Sequence, residues 1–506
     1  MAETVYPPDR TAVAAGDARD LALFGLAALG LGALSLWLLG HGWGSEIGMR
    51  RWAQVLGVLD ADGLRIENLG LIYPHLPYYL LMPFYYVPGL RAPAAPYLVS
   101  ALLTALLLVL WYRRLLPAGF TRRQRLVLLV LVTIQPALLW SGTNGGQAAL
   151  SVLLFYLLYR SCLRMIYEQD VRSFIALGIV LGVYFFADAV TFFLFIALLP
   201  LITLIAPRRI LMESPLSVYV IVTTPLAVAV GSWIYLNWIF HGDALGFLSD
   251  PRSGWLGGWS EAPGSAWLRT YGGDWLRPIG AGLVLMAASF PAVIFLLLSA
   301  SRYGPHLRAA LVLFLHPVIA MGFATERFYL VSPMEILVLI LGGIMAELTQ
   351  VKAGHHKAFP TLAAFLLVGA LSGWMVFAAS DEPGAGRWLG ALRGQTQAPA
   401  AAGDLALGRW LAASRLTTLL DDRTGYRVII ARGDARDLAL PFSDTFKLQL
   451  RRGHPDVPQI AVPDPSSRRG RQDRINQRFP RLYAHGLPGY RRVYDRDGWR
   501  VYRHAG

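Results

Sequence analysis

The first residues equipped for chemistry stand just past an apolar run that ends near residue 40. In "GSEIGMRRWAQVLGVLD", Glu46 heads a segment that carries Arg50 and Arg51 one turn later. A carboxylate at a membrane boundary can take a proton from a sugar hydroxyl, and guanidinium groups beside it can hold a phosphate. The plainer alternative is that Glu46 only stabilises a helix N-terminus through the helix dipole. A second mixture follows in "NWIFHGDALGFLSDPRSGWLGGW", where His241, Asp243, Asp250 and Arg252 interleave with Trp238, Trp255 and Trp259. Arginine for phosphate, acids for hydroxyls and rings for sugar faces is the set a sugar phosphate needs. Tryptophans here also serve as interfacial anchors.

Other candidates are single acids in apolar surroundings. Asp188, in "YFFADAVTFF", is a functional candidate because an intramembrane carboxylate is costly unless it faces a wet or protein interior. Glu326 and Arg327 in "ATERFYL" can pair with each other, whereas Glu335 in "SPMEIL" needs a partner. His316-Pro317 reads as a kink with a satisfied histidine rather than a ligand. No HxxxH, cysteine cluster or DxD run is present, and "DAD" at Asp60 to Asp62 is a weak substitute, so a divalent cation has no sequence support. Neither a P-loop nor a dinucleotide fingerprint occurs. The single cysteine, Cys162, excludes an internal disulfide and reads as an inert buried thiol.

These residues must be positioned by membrane helices. The 506 residues are 55% hydrophobic and 15% charged, with a mean hydropathy of +0.45, which marks an integral membrane protein. Apolar windows long enough to span fall near 21–40, 97–115, 126–142, 147–164, 173–188, 190–206, 217–239, 279–300, 308–323, 328–348 and 359–379. With residues 1–20 as a short cytoplasmic lead, the turns on that side hold Arg113, Arg114, Arg122, Arg123, Arg125, Arg160, Arg164, Arg172, Arg208, Arg209, Arg302, Arg308, Lys352 and Lys357. This matches the excess of Arg and Lys expected in cytoplasmic loops. The eleven spans then put both long loops, 41–96 and 240–278, on the outer face with residues 381–506. An active site, if present, faces outward.

Within the first loop, Ile47, Trp52, Val55, Leu56 and Leu59 suit an amphipathic helix lying in the membrane interface. The stretch Gly70 to Leu90, "GLIYPHLPYYLLMPFYYVPGL", is apolar, but Pro74, Pro77, Pro83 and Pro88 deny it a regular helix. Tyr73, Tyr78, Tyr79, Tyr85 and Tyr86 suit an interface, and Tyr73 and His75 are expected to wall a cavity for a lipid tail. The alternative is a re-entrant plug. The tail 381–506 opens with a Pro/Gly/Ala linker and carries 22 Arg and Lys against 13 Asp and Glu. Its runs "YRVIIAR", "PQIAVPD" and "GWRVYRH" read as strands and "LALGRWLAASRLTTLL" as a helix, which predicts a small basic α/β domain. No nucleic-acid motif accompanies the net charge of +14. No fixed repeat or matched pair of broken helices is visible, which weighs against a transporter.

Taken together, the acid after the first span, "ENLGLIYPHLP", "QPALLWSGTNGGQAAL", "NWIFHGDALGFLSD" and "ERFYLVSPMEIL" resemble bacterial members of the GT-C glycosyltransferase superfamily, the kind related to protein mannosyltransferases and lipid A sugar transferases. The resemblance implies a polytopic α-helical fold in the bacterial inner membrane, N-terminus cytoplasmic, with a periplasmic C-terminal α/β domain. It implies an inverting transfer from a polyprenyl-phosphate sugar to a glycan, lipid or protein acceptor. On this reading Glu46 is the base, with Asp243, Arg252 and Arg327 near the donor phosphate. Where the family carries an Asp, often in an acidic pair, this chain has Glu46 with no adjacent acid and Glu67 farther along. Three functions compete: the transferase, a catalytically silent subunit of the same fold that holds a partner enzyme or nascent polysaccharide through its basic domain, and a lipid flippase.

Overall fold

The computed structural model describes residues 10–60, 73–87, 93–168, 172–249, 276–294, 304–327, 333–350, 359–379, 383–396, 402–467 and 469–505. These form two compact units: residues 1–37, 97–233 and 258–389 make one, and residues 38–96, 234–257 and 390–506 make the other.

The first unit is a helical bundle, and the described residues of each of the eleven apolar windows fall mainly on a helix or helix pair. Its elements are the body of α1 (Arg10–Gly40), which runs on into the second unit, and α4 (Ala95–Arg114), α5 (Arg122–Thr133), α6 (Pro136–Thr143), α7 (Ala148–Glu168), α8 (Arg172–Ala187), α9 (Val190–Ile205) and α10 (Arg208–Glu213). They continue with most of α11 (Pro215–His241), α13 (Leu276–Ser289), α14 (Gly304–Arg327), α15 (Pro333–Leu348), α16 (Phe359–Ala378) and the start of α17 (Pro383–Leu392). Among the described residues, five helices are long and apolar enough to cross a membrane alone, and α5 with α6 makes a sixth. The protein is a polytopic α-helical membrane protein.

Two windows read as continuous helices are broken. α5 and α6 meet at 71°, because Pro136 has no N–H for the ladder and Gln135 turns extended before it. α13 stops at Ser289, just ahead of Pro291. Averaged hydropathy passes over both prolines. α7 is buried almost all round and packs against α8 and α15. Close approach relies on small residues, as usual between membrane helices. A Cβ on Gly178 of α8 would lie 2.8 Å from the Val222 carbonyl oxygen of α11, and one on Gly182 would lie 3.1 Å from that of Pro225.

The second unit gathers α2 (Glu46–Asp60), α3 (Leu76–Tyr85), α12 (Gly246–Ser249) and the C-terminal domain. That domain is the expected small α/β fold. It comprises α18 (Ala402–Ser414), α19 (Asp422–Arg432), α20 (Asp444–Arg451), α21 (Arg474–Arg478) and α22 (Leu482–His485) around a sheet of β1 (Thr418–Leu419), β2 (Leu438–Ala439), β3 (Gln459–Pro463), β4 (Tyr490–Arg496) and β5 (Trp499–His504). Sheet order is β2-β1-β3-β5-β4, parallel across β2, β1 and β3 and antiparallel beyond. Ile460 and Val462 of β3 and Tyr502 of β5 join Phe446, Ile475 and Leu482 in one core.

"PQIAVPD" and "GWRVYRH" are strands as expected, but "YRVIIAR" is helical. Its β-branched content is overruled by local signals at both ends. The Asp421 carboxylate caps the helix by accepting from the Arg423 N–H, and Gly433 ends it at a φ of 86°. The helix predicted from "LALGRWLAASRLTTLL" ends at Ser414, and Thr418-Leu419 becomes β1.

Candidate active site

Glu46 lies in the first turn of α2, where Ser45 caps the helix by accepting from the Gly48 N–H at 3.3 Å. Its Oε1 accepts from Arg50 Nη2 at 2.6 Å, one turn along, with the two side chains 51% and 37% exposed. Successive helical residues diverge by about 100°, and Arg50 and Arg51 part accordingly. The Arg50 guanidinium lies 5.3 Å from the ring centroid of Tyr426 on α19, whereas Arg51 is buried, 6.0 Å from the Tyr78 ring. The two arginines thus face different neighbours rather than forming one clamp. The apolar face of α2 is not laid on a membrane interface, as its moment suggested. Trp52, Val55 and Leu56 are buried and the helix packs on α19 and α3.

The proline-rich stretch forms a helix after all. Pro77 falls in the first turn of α3, where no N–H is required, and Pro83 lies near its end. Three of its tyrosines face protein: Tyr73 is fully buried, Tyr78 donates to Gln54 Oε1 at 2.6 Å, and Tyr85 donates to Asp60 Oδ1 at 2.6 Å. Tyr79 and Tyr86 are exposed. His75 stacks on Tyr79, with ring centroids 5.6 Å apart, and burial lowers its pKa to about 3, which keeps the imidazole neutral.

The second long loop meets the first where the rings of Tyr73 and Phe247 lie 5.7 Å apart. Asp243 is exposed and Oδ1 accepts from the Leu245 N–H at 3.0 Å, which closes the turn before α12. Trp238 is exposed. The His241 side chain, Glu67, Arg252, Asp250, Trp255 and Trp259 lie outside the described residues.

In the bundle unit, Asp188 sits at the break between α8 and α9, buried and saturated with donors. Oδ2 accepts from Gln147 Nε2 at 3.0 Å and Ser151 Oγ at 2.8 Å, and Oδ1 from the Val190 N–H at 3.1 Å. Such bonding accounts for a carboxylate in an apolar bundle. Glu326 and Arg327 close α14 and Glu335 opens α15, but their side chains lie outside the described residues. His316 is half satisfied: its Nε2 lies 2.8 Å from the Leu194 carbonyl oxygen, while its buried Nδ1 has no hydrogen-bond partner among the described residues.

Sequence reasoning missed the side chains of the C-terminal domain that surround α2. Tyr426 is buried beneath three guanidinium groups, those of Arg50, Arg427 and Arg469, with carbons 5.3, 5.4 and 5.6 Å from its centroid. Burial, and after it the Glu46 charge, pushes the Tyr426 hydroxyl above its ordinary pKa. Arg469 is held by both oxygens of buried Asp404, at 2.9 and 2.7 Å, and donates to the Thr424 carbonyl; Asp404 also accepts from Trp499 Nε1 at 2.7 Å. Asp60 takes the Tyr85 hydroxyl on one oxygen and the Ala435 N–H at 2.8 Å on the other, with Arg436 Nε 3.8 Å away. Asp421 and Asp473 cap α19 and α21 and reach across. Asp421 Oδ2 accepts from the Arg474 N–H at 2.8 Å, and Asp473 Oδ2 from Thr424 Oγ1. Burial and the neighbouring Asp421 charge raise Asp473 to about 7. Among the described residues, no three His, Cys, Asp or Glu side chains converge as a metal site.

No family model matches the chain, and a search of curated proteins gives no match. Solved structures do match. ArnT from Cupriavidus metallidurans bound to undecaprenyl phosphate aligns at a TM-score of 0.59 and 12% identity, over 95% of this chain and 97% of that one. The apo state of the same protein aligns at 0.56 and 13%, with equal coverage. At such identity the likeness speaks for the fold, and it extends over nearly the whole of both chains.

Proposed function

Because the chain has the GT-C superfamily fold, we propose that it is an integral membrane glycosyltransferase. It moves a sugar from a polyprenyl-phosphate donor to a hydroxyl of an envelope glycan, lipid or protein on the periplasmic face of the bacterial inner membrane. The observation that carries this reading is the Glu46 carboxylate, half exposed at the head of α2, beside Arg50 and in the same compact unit as the aromatic helix α3. The ArnT structure bound to undecaprenyl phosphate supports the class of donor.

In the proposed step Glu46 accepts the proton of the acceptor hydroxyl, and its oxygen attacks the anomeric carbon from the face opposite the phosphate. The bond between that carbon and the phosphate oxygen breaks, the sugar inverts, and polyprenyl phosphate departs with its charge met by arginine. Arg50 is the described candidate for that charge, with Arg252 as a further candidate. Tyr73 and neutral His75 suit the apolar wall along which a prenyl tail enters, and Asp243 the acceptor or donor hydroxyls. Asp188, His241, Glu326 and Glu67 stay as candidates for binding or catalysis.

One observation favours a second reading, the catalytically silent subunit: Glu46 is already engaged by Arg50 and lacks an adjacent acid. Glu46→Gln and Asp243→Asn, expressed at the normal level in cells lacking the native chain, separate the two. Loss of a surface glycan in either supports the transferase; a full glycan in both, with a stoichiometric partner on purification, supports the silent subunit.

A further inference from the structure

An exposed carboxylate–guanidinium pair one helical turn apart is weak by itself, because solvent screens it and both chains lose rotamer freedom. Glu46 and Arg50 are such a pair, yet Arg50 is not left to solvent on its far side. It meets the ring of Tyr426, a residue of the C-terminal domain. That ring is fixed in turn. Tyr426 is buried in α19, whose ends are capped by Asp421 and Gly433, and of its two other cationic neighbours, Arg427 and Arg469, the second is locked by Asp404. The chain of contacts from Asp404 through Arg469, Tyr426 and Arg50 ends at the carboxylate of Glu46.

We propose that Tyr426 is a positioning residue of the transfer site: its ring holds the Arg50 guanidinium, and through it orients Glu46 to receive the acceptor proton. This rests on the transferase reading of Glu46 and extends it, because it makes the C-terminal domain part of the site rather than a cap. A guanidinium over a tyrosine face is attracted by the ring quadrupole and needs no hydroxyl for it. The ring, not the phenol, is therefore the working element. With the ring gone, Arg50 swings to solvent and Glu46 loses its fixed cation.

The test uses the full-length protein in membranes from cells lacking the native chain, with a radiolabelled polyprenyl-phosphate hexose as donor probe and the membranes' own acceptors. Tyr426→Phe is expected to keep both kcat and donor KM. Tyr426→Leu is expected to lower kcat about tenfold, the effect of a partly desolvated cation–ring contact, with donor KM unchanged. Arg50→Lys, which keeps the charge but loses the planar face, is expected to lower kcat in the same way. A spin label at Ile47, 40% exposed, reports whether α2 stays packed, and the buried Cys162 remains unlabelled.

If Tyr426→Leu behaves as the native protein while Glu46→Gln is inactive, the positioning role is overturned and the transferase reading stands. Equal loss in Tyr426→Phe and Tyr426→Leu also overturns it, since the ring then does not matter. Should Tyr426→Leu free the spin label, a native kcat in Arg50→Lys overturns the proposal and a lowered kcat with donor KM unchanged supports it. Full activity in Glu46→Gln overturns Glu46 as the base, and the positioning role falls with it, whereas no transfer by the native protein overturns the transferase reading itself.

Discussion

Replacement of Asp60 should release α2 from the C-terminal domain. The carboxylate is nearly inaccessible, at 1% side-chain exposure, and accepts two strong hydrogen bonds, from the Tyr85 hydroxyl at 2.6 Å and the Ala435 N–H at 2.8 Å. A bond to a charged acceptor contributes about 1.5–3 kcal/mol, and a buried donor left without a partner costs about 1–3 kcal/mol. Asp60→Ala removes both bonds at once, so a loss of about 3–6 kcal/mol in the docking of α2 is expected. Asp60→Asn is expected to lose only about 1–2 kcal/mol, because its amide oxygen still takes the Ala435 N–H and its NH2 can donate to the Tyr85 oxygen. Tyr85→Phe removes one of the two bonds and leaves Ala435 satisfied, for about 1.5–3 kcal/mol. The measurement is urea titration of the purified full-length protein, with a spin label at Ile47 reporting α2 and near-ultraviolet circular dichroism reporting the domain. A loss in Asp60→Ala that exceeds the losses in both Asp60→Asn and Tyr85→Phe is the signature of the carboxylate as the joint. Equal stability of Asp60→Ala and the native protein would refute the reasoning.

Three further outcomes follow from features described above. Gly178→Ala places a Cβ 2.8 Å from the Val222 carbonyl, so α8 must retreat from α11; a loss of about 1–3 kcal/mol is expected in detergent unfolding, with Ala at Gly25, where an added Cβ meets nothing within 4 Å, as the silent control. Asp188→Ala strands Gln147, Ser151 and the Val190 N–H and should cost about 2–5 kcal/mol, whereas Asp188→Asn retains part of the network; thermal inactivation in nanodiscs ranks them. Asp473, raised to about 7 in the folded protein from an ordinary 3.8, binds more protons folded than unfolded between those values. Its contribution is therefore fully present below about pH 4 and is lost as pH rises toward 7, at no more than about 1.4 kcal/mol per pH unit. Asp473→Asn keeps the cap and should flatten the pH dependence of the domain's melting temperature, and an unchanged slope would exclude Asp473 as its source.

What could be read from sequence was local. Apolar windows fell on helices because burial in lipid or bundle demands continuous hydrophobicity, whichever helix lies beside them. The breaks at Gln135 and Phe290 were written in Pro136 and Pro291, but a window average dilutes one proline among many leucines. "YRVIIAR" was mistaken for a strand although Asp421 and Gly433 bracket it at helical spacing; caps outweigh β-branching when both are present. Pro77 was taken as a breaker where it begins a helix. The surroundings of Glu46 were not legible, because Tyr426, Arg469 and Asp404 come from the far end of the chain and only tertiary packing brings them to α2. An amphipathic helix shows that it needs an apolar partner, and not which one.

Asp60 and the Ala435 N–H are 375 residues apart in sequence. At ordinary elongation rates of about 5–20 residues per second, roughly 20–75 s separate the emergence of α2 from that of its binding surface. For that interval the face of α2 that packs on α19 has no native cover, and every helix of the bundle must be inserted before it arrives. Maturation of the Glu46 region is thus a late event in biogenesis, and a chain truncated ahead of residue 418 would carry a complete set of membrane helices with an orphaned α2.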